Sequence, residues 1–253
     1  MIPESVPRFI ASVRDYGNGM VEAGISFVPV DRVVNSGNSS TQKDQTDRAV
    51  RRARATIRRR CMTMQADHLL TLTYRDNMTD WRQACLDLET FIRAIREQLG
   101  PFHYVAVAER QKRGAWHWHL GVKGFQLVAI LRASWRSIVG QGNIDVRGPR
   151  ARGDAVAPPA HAGAVEWQSF RLSTYLAKYL GKDIEDETRH SGEHRYRCSL
   201  GIGDPVSRVE FTCRTLDEAM HTLADRFEEL GATVAFVWRA PDELPQAWMC
   251  SWG

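Results

Sequence analysis

The order of its predicted elements indicates that the chain adopts an α+β fold around a central antiparallel sheet. An apolar, β-branched strand over 69–74 precedes a helix that ends at Leu99, two strands, a helix over 126–139 and a short strand over 143–147. Strand, helix, two strands, helix, strand is the order of a ferredoxin-like split βαβ unit. We therefore expect a sheet with helices on one face and its other face free.

Residues 103–122 predict a β-hairpin whose polar turn, 110–114, ends in glycine. Side chains alternate along a strand, so His117 and His119 share one face. Centring the turn near Arg113 sets Glu109 opposite His117. Two imidazoles and a carboxylate suit a divalent metal with open positions, and a catalytic zinc would also accept them. The alternative is that both histidines are solvated strand residues. The other face would be apolar, with Trp116, Trp118, Leu120 and Val122.

A helix is predicted over 170–182, where leucines recur at helical spacing. Tyr175 and Tyr179 are four residues apart and therefore lie one turn from each other on one face. Lys178 and Lys182 lie on an adjacent stripe, so the pattern Y-x-x-K occurs twice in tandem. By itself this segment is equally typical of an amphipathic helix whose tyrosines cap a core.

A concentrated basic helix is predicted over 47–64, with Asp47 as its only acid. Bringing so many guanidinium groups together favours an anionic partner such as a nucleic acid, although a solvated charged helix face is the alternative. The candidate DNA contacts are Arg51, Arg52, Arg54, Arg58, Arg59 and Arg60, together with Arg113 of the hairpin turn.

Three segments, in order, resemble motifs of the HUH-type rolling-circle replication initiators. The strand 70–74 resembles their first motif, His117-Trp-His119 the histidine motif, and Tyr175-x-x-Lys178 the nucleophile motif. Glu109 stands where many such proteins carry a third metal ligand. The doubled tyrosine is similar to that of the two-tyrosine initiators of small single-stranded DNA phages. The resemblance covers about residues 69–183.

The resemblance implies an HUH endonuclease core that nicks single-stranded DNA at a replication origin and later rejoins the strand. Attack by Tyr175 would give a 5′-phosphotyrosine and a free 3′-OH, with Lys178 beside the phosphate. Tyr179, served by Lys182, would act in the second transfer. The implied cofactor is Mg²⁺ or Mn²⁺, and the implied metal ligands are Glu109, His117 and His119.

Two enzymatic relatives and one non-enzymatic reading compete with this interpretation. A relaxase carries its tyrosine before the histidine motif, whereas here the tyrosine follows His119 by about 56 residues. A two-tyrosine HUH transposase keeps the same motif order and differs only in its DNA target. A non-catalytic basic nucleic-acid-binding module would explain the arginines but leaves the histidines, the glutamate and the tyrosines as coincidences.

Composition sets further bounds on the 253-residue chain, whose net charge is +4. Five cysteines without CxxC spacing favour a reducing bacterial cytoplasm and a phage- or plasmid-encoded protein, and argue against structural zinc. No apolar run approaches the about 20 residues of a membrane helix, so no membrane partner is expected. The absence of a P-loop motif implies a host helicase, alongside a polymerase. We divide the chain into a poorly patterned segment (1–45), the core with its basic helix (46–195) and a strand-helix-strand extension packed on the core (196–253).

Overall fold

The computed structural model describes residues 8–28, 42–148, 163–182, 195–241 and 245–252. Within them the helices are α1 (Gln42–Thr63), α2 (Trp81–Leu99), α3 (Val128–Val139), α4 (Ala164–Lys182) and α5 (Leu216–Glu229). The strands are β1 (Arg8–Asp15), β2 (Val21–Val28), β3 (His68–Tyr74), β4 (Val105–Arg110), β5 (Trp116–Val122), β6 (Gly142–Arg147), β7 (Tyr196–Cys198), β8 (Val206–Thr212), β9 (Phe236–Arg239) and β10 (Gln246–Cys250).

The chain forms two compact units, one of which comprises residues 40–155 and 168–203. Its antiparallel sheet has the strand order β6-β3-β5-β4-β7. The first four strands, with α2 and α3 as their connections, have the order of a split βαβ unit. The α+β class and the antiparallel sheet are therefore confirmed. β7 extends this sheet by pairing with β4, although the sequence analysis assigns residue 196 onward to the extension.

The hairpin register agrees with the prediction at every position that it specified. Ala106 pairs with Leu120, Ala108 with Trp118, and Glu109 with His117. Small residues on β4 make room for large ones on β5, and a one-residue slip would move the apolar face to the wrong side. Gly114, whose φ is +88°, closes the turn in a conformation that glycine adopts readily.

The first face of this sheet packs against α2 and α3. Asp80 caps α2 by accepting a 3.0 Å hydrogen bond from the Gln83 amide, and Gly100 ends the helix. The helix buries Leu88, Phe91 and Ile95 against the tryptophans of β5, whereas Leu86, at 50 % exposure, faces solvent.

The second face of the sheet is covered as well, which corrects the expectation that it is free. Ile57 of α1 and Leu176 of α4 pack there with Val105, Val107 and Leu69. The valines of β4 make that strand apolar on both sides, as is typical of strands buried between two layers. The site face of β5 therefore lies beneath α4.

The other unit comprises residues 1–39, 156–167 and 204–253 and contains an antiparallel sheet in the order β8-β1-β2-β10-β9. α5 packs on one face of this sheet. β1 and β2, from the segment predicted to be poorly patterned, pair with β8 and β10 of the C-terminal extension. Pairing between segments so distant in sequence leaves no local signal, so the sequence analysis assigned them to separate regions. Among the described helices, none has the length and apolar character needed to span a membrane.

Candidate active site

Glu109, His117 and His119 share the face of the sheet that lies beneath α4. Nε2 of His119 lies 2.8 Å from a carboxylate oxygen of Glu109. Both imidazoles are buried, and Nε2 of His117 has no hydrogen-bond partner among the described residues. A buried polar atom without a partner costs free energy, roughly 1–3 kcal/mol, and so marks a site whose residues serve something other than stability.

Neighbouring side chains hold the other nitrogen of each imidazole. Oγ1 of Thr71 lies 3.2 Å from Nδ1 of His119, and the amide nitrogen of Gln111 lies 3.2 Å from Nδ1 of His117. Because a threonine hydroxyl donates and accepts, and an amide presents its oxygen after rotation, both partners can serve either tautomer. They orient the rings with Nε2 directed at the site.

Burial lowers the pKa of His117 to about 4, and the neighbouring His119 acts in the same direction. The Glu109 carboxylate opposes this shift, but its effect is smaller. His117 is therefore neutral near pH 7, and the neutral imidazole is the form that binds a metal.

α4 brings the two tyrosines over the histidine strand. The ring of Tyr179 stacks on that of His119, with ring centres 4.0 Å apart and planes 7° from parallel. The Tyr179 hydroxyl donates a 2.5 Å hydrogen bond to the Tyr175 hydroxyl oxygen. Two motifs that are distant in sequence thus form one cluster.

The two tyrosines differ in accessibility. Tyr179 is buried, and this burial, together with the hydrogen bond to Tyr175, raises its pKa above the usual value of tyrosine. Tyr175 is only partly buried. The more accessible hydroxyl is therefore the one that receives a hydrogen bond from its neighbour.

The donor set fits a divalent cation in its chemistry, although not in its present spacing. No group of three or more His, Cys, Asp or Glu side chains within the described ranges is arranged to hold a metal ion. His119 and Glu109 contact each other directly, so a cation would have to replace that hydrogen bond with two coordination bonds. The unpartnered Nε2 of His117 favours such an exchange, because a ligand is what this buried atom lacks.

Gly121 of β5 gives α4 its close approach to the sheet. A Cβ atom at this position would lie 3.0 Å from Cδ1 of Leu176 and 3.5 Å from Sγ of Cys61. α4 can therefore reach the histidines only because residue 121 has no side chain.

We expect Gly121→Val to lower stability by about 1–3 kcal/mol, since the added atoms overpack a buried contact. It should also slow any chemistry of Tyr175 by displacing α4. Urea unfolding measures the first effect. Gly24→Val is the matched control, because Gly24 also lies in a strand but a Cβ there would have no atom within 4 Å. Equal unfolding midpoints for the two variants would contradict this packing argument.

Arg147 and Asp145 lie on β6, on the same face as the histidines. Asp145 and His119 both pair with Thr71, and Arg147 lies in the row of Gly121. Nε of Arg147 donates a 2.6 Å hydrogen bond to Asp145. This bond raises the pKa of the guanidinium, and the two neighbouring tyrosines add smaller effects in the same direction. An exposed, permanent cation thus stands beside the tyrosine pair.

The remaining predicted site residues are more dispersed. Lys178 is exposed on α4, one turn after Tyr175, and Lys182 is described only as the last helical residue. Arg113 lies in the hairpin turn, where it donates to the Gln111 side chain and the Tyr74 carbonyl.

The arginines of α1 fall into two groups. Arg51, Arg52 and Arg54 are exposed, whereas Arg58, Arg59 and Arg60 are partly buried. Arg60 donates to the carbonyls of Ile202 and Gly203 and so ties α1 to the loop after β7. Its contact with the backbone is structural, and a role of Arg60 toward DNA stays a prediction.

Sequence reasoning did not identify Thr71, Gln111, Gly121 or the Asp145–Arg147 pair as parts of this cluster. Thr71 lies in the predicted first motif, and the in-register pairing of β3 with β5 is the signal that could have found it. Gln111 and Gly121 carry no signal of their own in a single sequence.

The class of protein follows from sequence comparison. Residues 67–184, which contain this entire cluster, match the model of a family described as replication-associated protein ORF2. The resemblance to replication initiators is thereby confirmed at the level of this family.

A particular relative supports the same class. The chain is similar to the phasyl DNA replicon protein arp of Escherichia coli, with 31 % identity over 134 residues. The alignment covers 47 % of this chain and 44 % of that protein, so the chain spans less than half of the relative's length. No solved structure matches the chain.

Proposed function

We propose that the protein initiates rolling-circle replication of a phage or plasmid by nicking single-stranded origin DNA through a tyrosine. The observation that carries this proposal is the stacking of Tyr179 on His119, with Tyr175 in hydrogen-bond contact above. A tyrosine pair and a histidine pair that meet in a buried cluster are what phosphodiester transesterification requires. The match to replication-associated proteins supports the DNA target.

Tyr175 is the proposed first nucleophile, because it is the more accessible of the two hydroxyls. Its Oη would attack the scissile phosphorus, forming an Oη–P bond while the bond from phosphorus to the 3′ oxygen breaks. The phenolic proton passes to solvent, and the departing 3′ oxygen takes up a proton. The products are a 5′-phosphotyrosine and a free 3′-OH from which a polymerase can extend.

Tyr179 has two successive roles in this proposal. As a hydrogen-bond donor to the Tyr175 oxygen, it stabilises the negative charge that develops there during the first attack. After Tyr175 has become esterified, Tyr179 becomes the free hydroxyl for the second transfer, which rejoins the strand. Lys178, Lys182 and Arg147 are cations on neighbouring positions that would offset phosphate charge.

Glu109, His117 and His119 would hold Mg²⁺ or Mn²⁺, which when bound supplies Lewis-acid stabilisation of the phosphate oxygens. His117 contributes a neutral imidazole, and Thr71 and Gln111 orient the two rings. Glu109 contributes the charged ligand.

The test is incubation with labelled circular single-stranded DNA of the protein's own replicon and Mn²⁺, with and without chelator. We expect a chelator-sensitive band on a denaturing gel that carries both the protein and the 5′ end created by the cut. A two-tyrosine HUH transposase would form the same adduct on transposon ends rather than on a replication origin. Tight, salt-sensitive binding without any adduct would favour the non-catalytic binding module.

The exposed arginines of α1 are the proposed electrostatic contacts to DNA. Replacing both Arg51 and Arg54 by glutamine should reduce the slope of log affinity against log salt by about 1.4, since each single-strand phosphate contact contributes about 0.7. Fluorescence anisotropy over a salt series measures this slope. Arg82 and Arg93, exposed on α2, give the matched control pair. An equal loss of slope in both pairs would remove α1 as a specific DNA surface.

A further inference from the structure

We propose that the sheet of the other unit binds single-stranded DNA by stacking bases on aromatic side chains of the face opposite α5. This inference rests on the proposed function only in taking DNA as the ligand. It concerns residues of the 1–39, 156–167 and 204–253 unit, outside the tyrosine and histidine cluster.

A single row of paired residues crosses all five strands of this face. Trp238 pairs with Trp248, Trp248 with Gly24, Gly24 with Ser12, and Ser12 with Arg208. Directly paired residues point to the same face, so these five form one continuous track. At a strand spacing of about 4.8 Å, the track is about 19 Å long.

The aromatic end of the track is exposed although aromatic residues usually contribute to a core. Phe236 is 46 % exposed and Trp238 is 48 % exposed. The ring of Phe236 lies 5.9 Å from that of Trp248, centre to centre. Neighbouring aromatic rings of this kind on a sheet are a platform for nucleic-acid bases.

The middle of the track is flat and open. A Cβ atom at Gly24 would have no neighbour within 4 Å. Glycine within a strand interior often marks a place where a ligand approaches the backbone. Ser12 lies beside it and offers a hydroxyl to bases or phosphates.

The charge distribution of this unit favours an anionic ligand on the aromatic side. Arg208 ends the track and Arg8 lies exposed on the same face, with Glu210 as an exposed acid between them. α5, on the opposite side of the sheet, exposes Asp217, Glu218, Asp225, Glu228 and Glu229. A polynucleotide would therefore be repelled from the helix side and accepted on the track side.

The test measures binding of the full chain to a labelled oligo(dT) of about 20 nucleotides in chelator, where no cleavage occurs. Trp238→Ala should weaken binding about tenfold, which corresponds to the loss of one stacked base. Val237→Ala is the matched control, because Val237 lies on the same strand with 42 % exposure but faces the other side. An abasic oligonucleotide of equal length should lose the difference between the variant and the wild type, since it retains only phosphates.

Equal affinity of wild type and Trp238→Ala for oligo(dT) would overturn the proposal, as would a preference for oligo(rU). Sedimentation of the same proteins tests a competing occupant. A wild-type dimer that only Trp238→Ala dissociates would assign the face to a second copy of the chain. Because the binding assay contains chelator, it is independent of nicking, and either proposal can fail while the other stands.

Discussion

Tyr175→Phe should abolish the first covalent adduct, with a rate at least about 10³-fold below that of the wild type. The variant keeps the ring and its packing on α4 but lacks the attacking oxygen. Tyr179 cannot readily replace it, because it is buried against His119 and its pKa is raised. The rate of adduct formation on labelled origin DNA with Mn²⁺ measures the effect.

Tyr179→Phe should behave differently in the same assay. It should retain the first adduct but form it about 10-fold to 100-fold more slowly, because a hydrogen bond to the developing phenolate is lost. Its second transfer should fail. Tyr104→Phe, which removes a hydroxyl outside the cluster, is the control and should react normally. A normal first adduct in Tyr175→Phe would reverse the assignment of the two tyrosines.

The sequence was most informative where a local pattern determines long-range geometry. The alternation of β5, with a polar turn before it, fixed the pairing of Glu109 with His117. Helical spacing likewise put Tyr175 and Tyr179 on one face of α4. Neither pattern specified which layer α4 would join, so the stacking of Tyr179 on His119 could not be derived from the sequence.

Features that depend on distant pairing were beyond prediction from one sequence. Gly121 has a role only because Leu176, far along the chain, packs on it. β1 and β2 find partners at the other end of the chain, where β8 and β10 lie. The aromatic residues of β9 and β10 were expected to be packing residues, since sequence does not tell which face of a sheet a helix will cover.

His117→Leu should have opposite effects on metal binding and on stability. It removes the proposed ligand atom, so affinity for Mn²⁺ should fall at least about 100-fold. In chelator, however, the variant should be more stable by about 1 kcal/mol, because it removes a buried nitrogen that has no partner in the described structure. Partly exposed Gln111, which loses a neighbour, can turn to water.

Calorimetry with Mn²⁺ and urea unfolding in chelator measure the two effects, without reliance on nicking. His221→Ala, on the exposed surface of α5, should change neither quantity. A merely structural His117 would give lower stability and unaltered Mn²⁺ affinity in the leucine variant, which is the reverse of our expectation on both counts. A gain in stability on removing a functional side chain is expected where a site is built for a ligand, because its polar atoms are satisfied only when that ligand is bound.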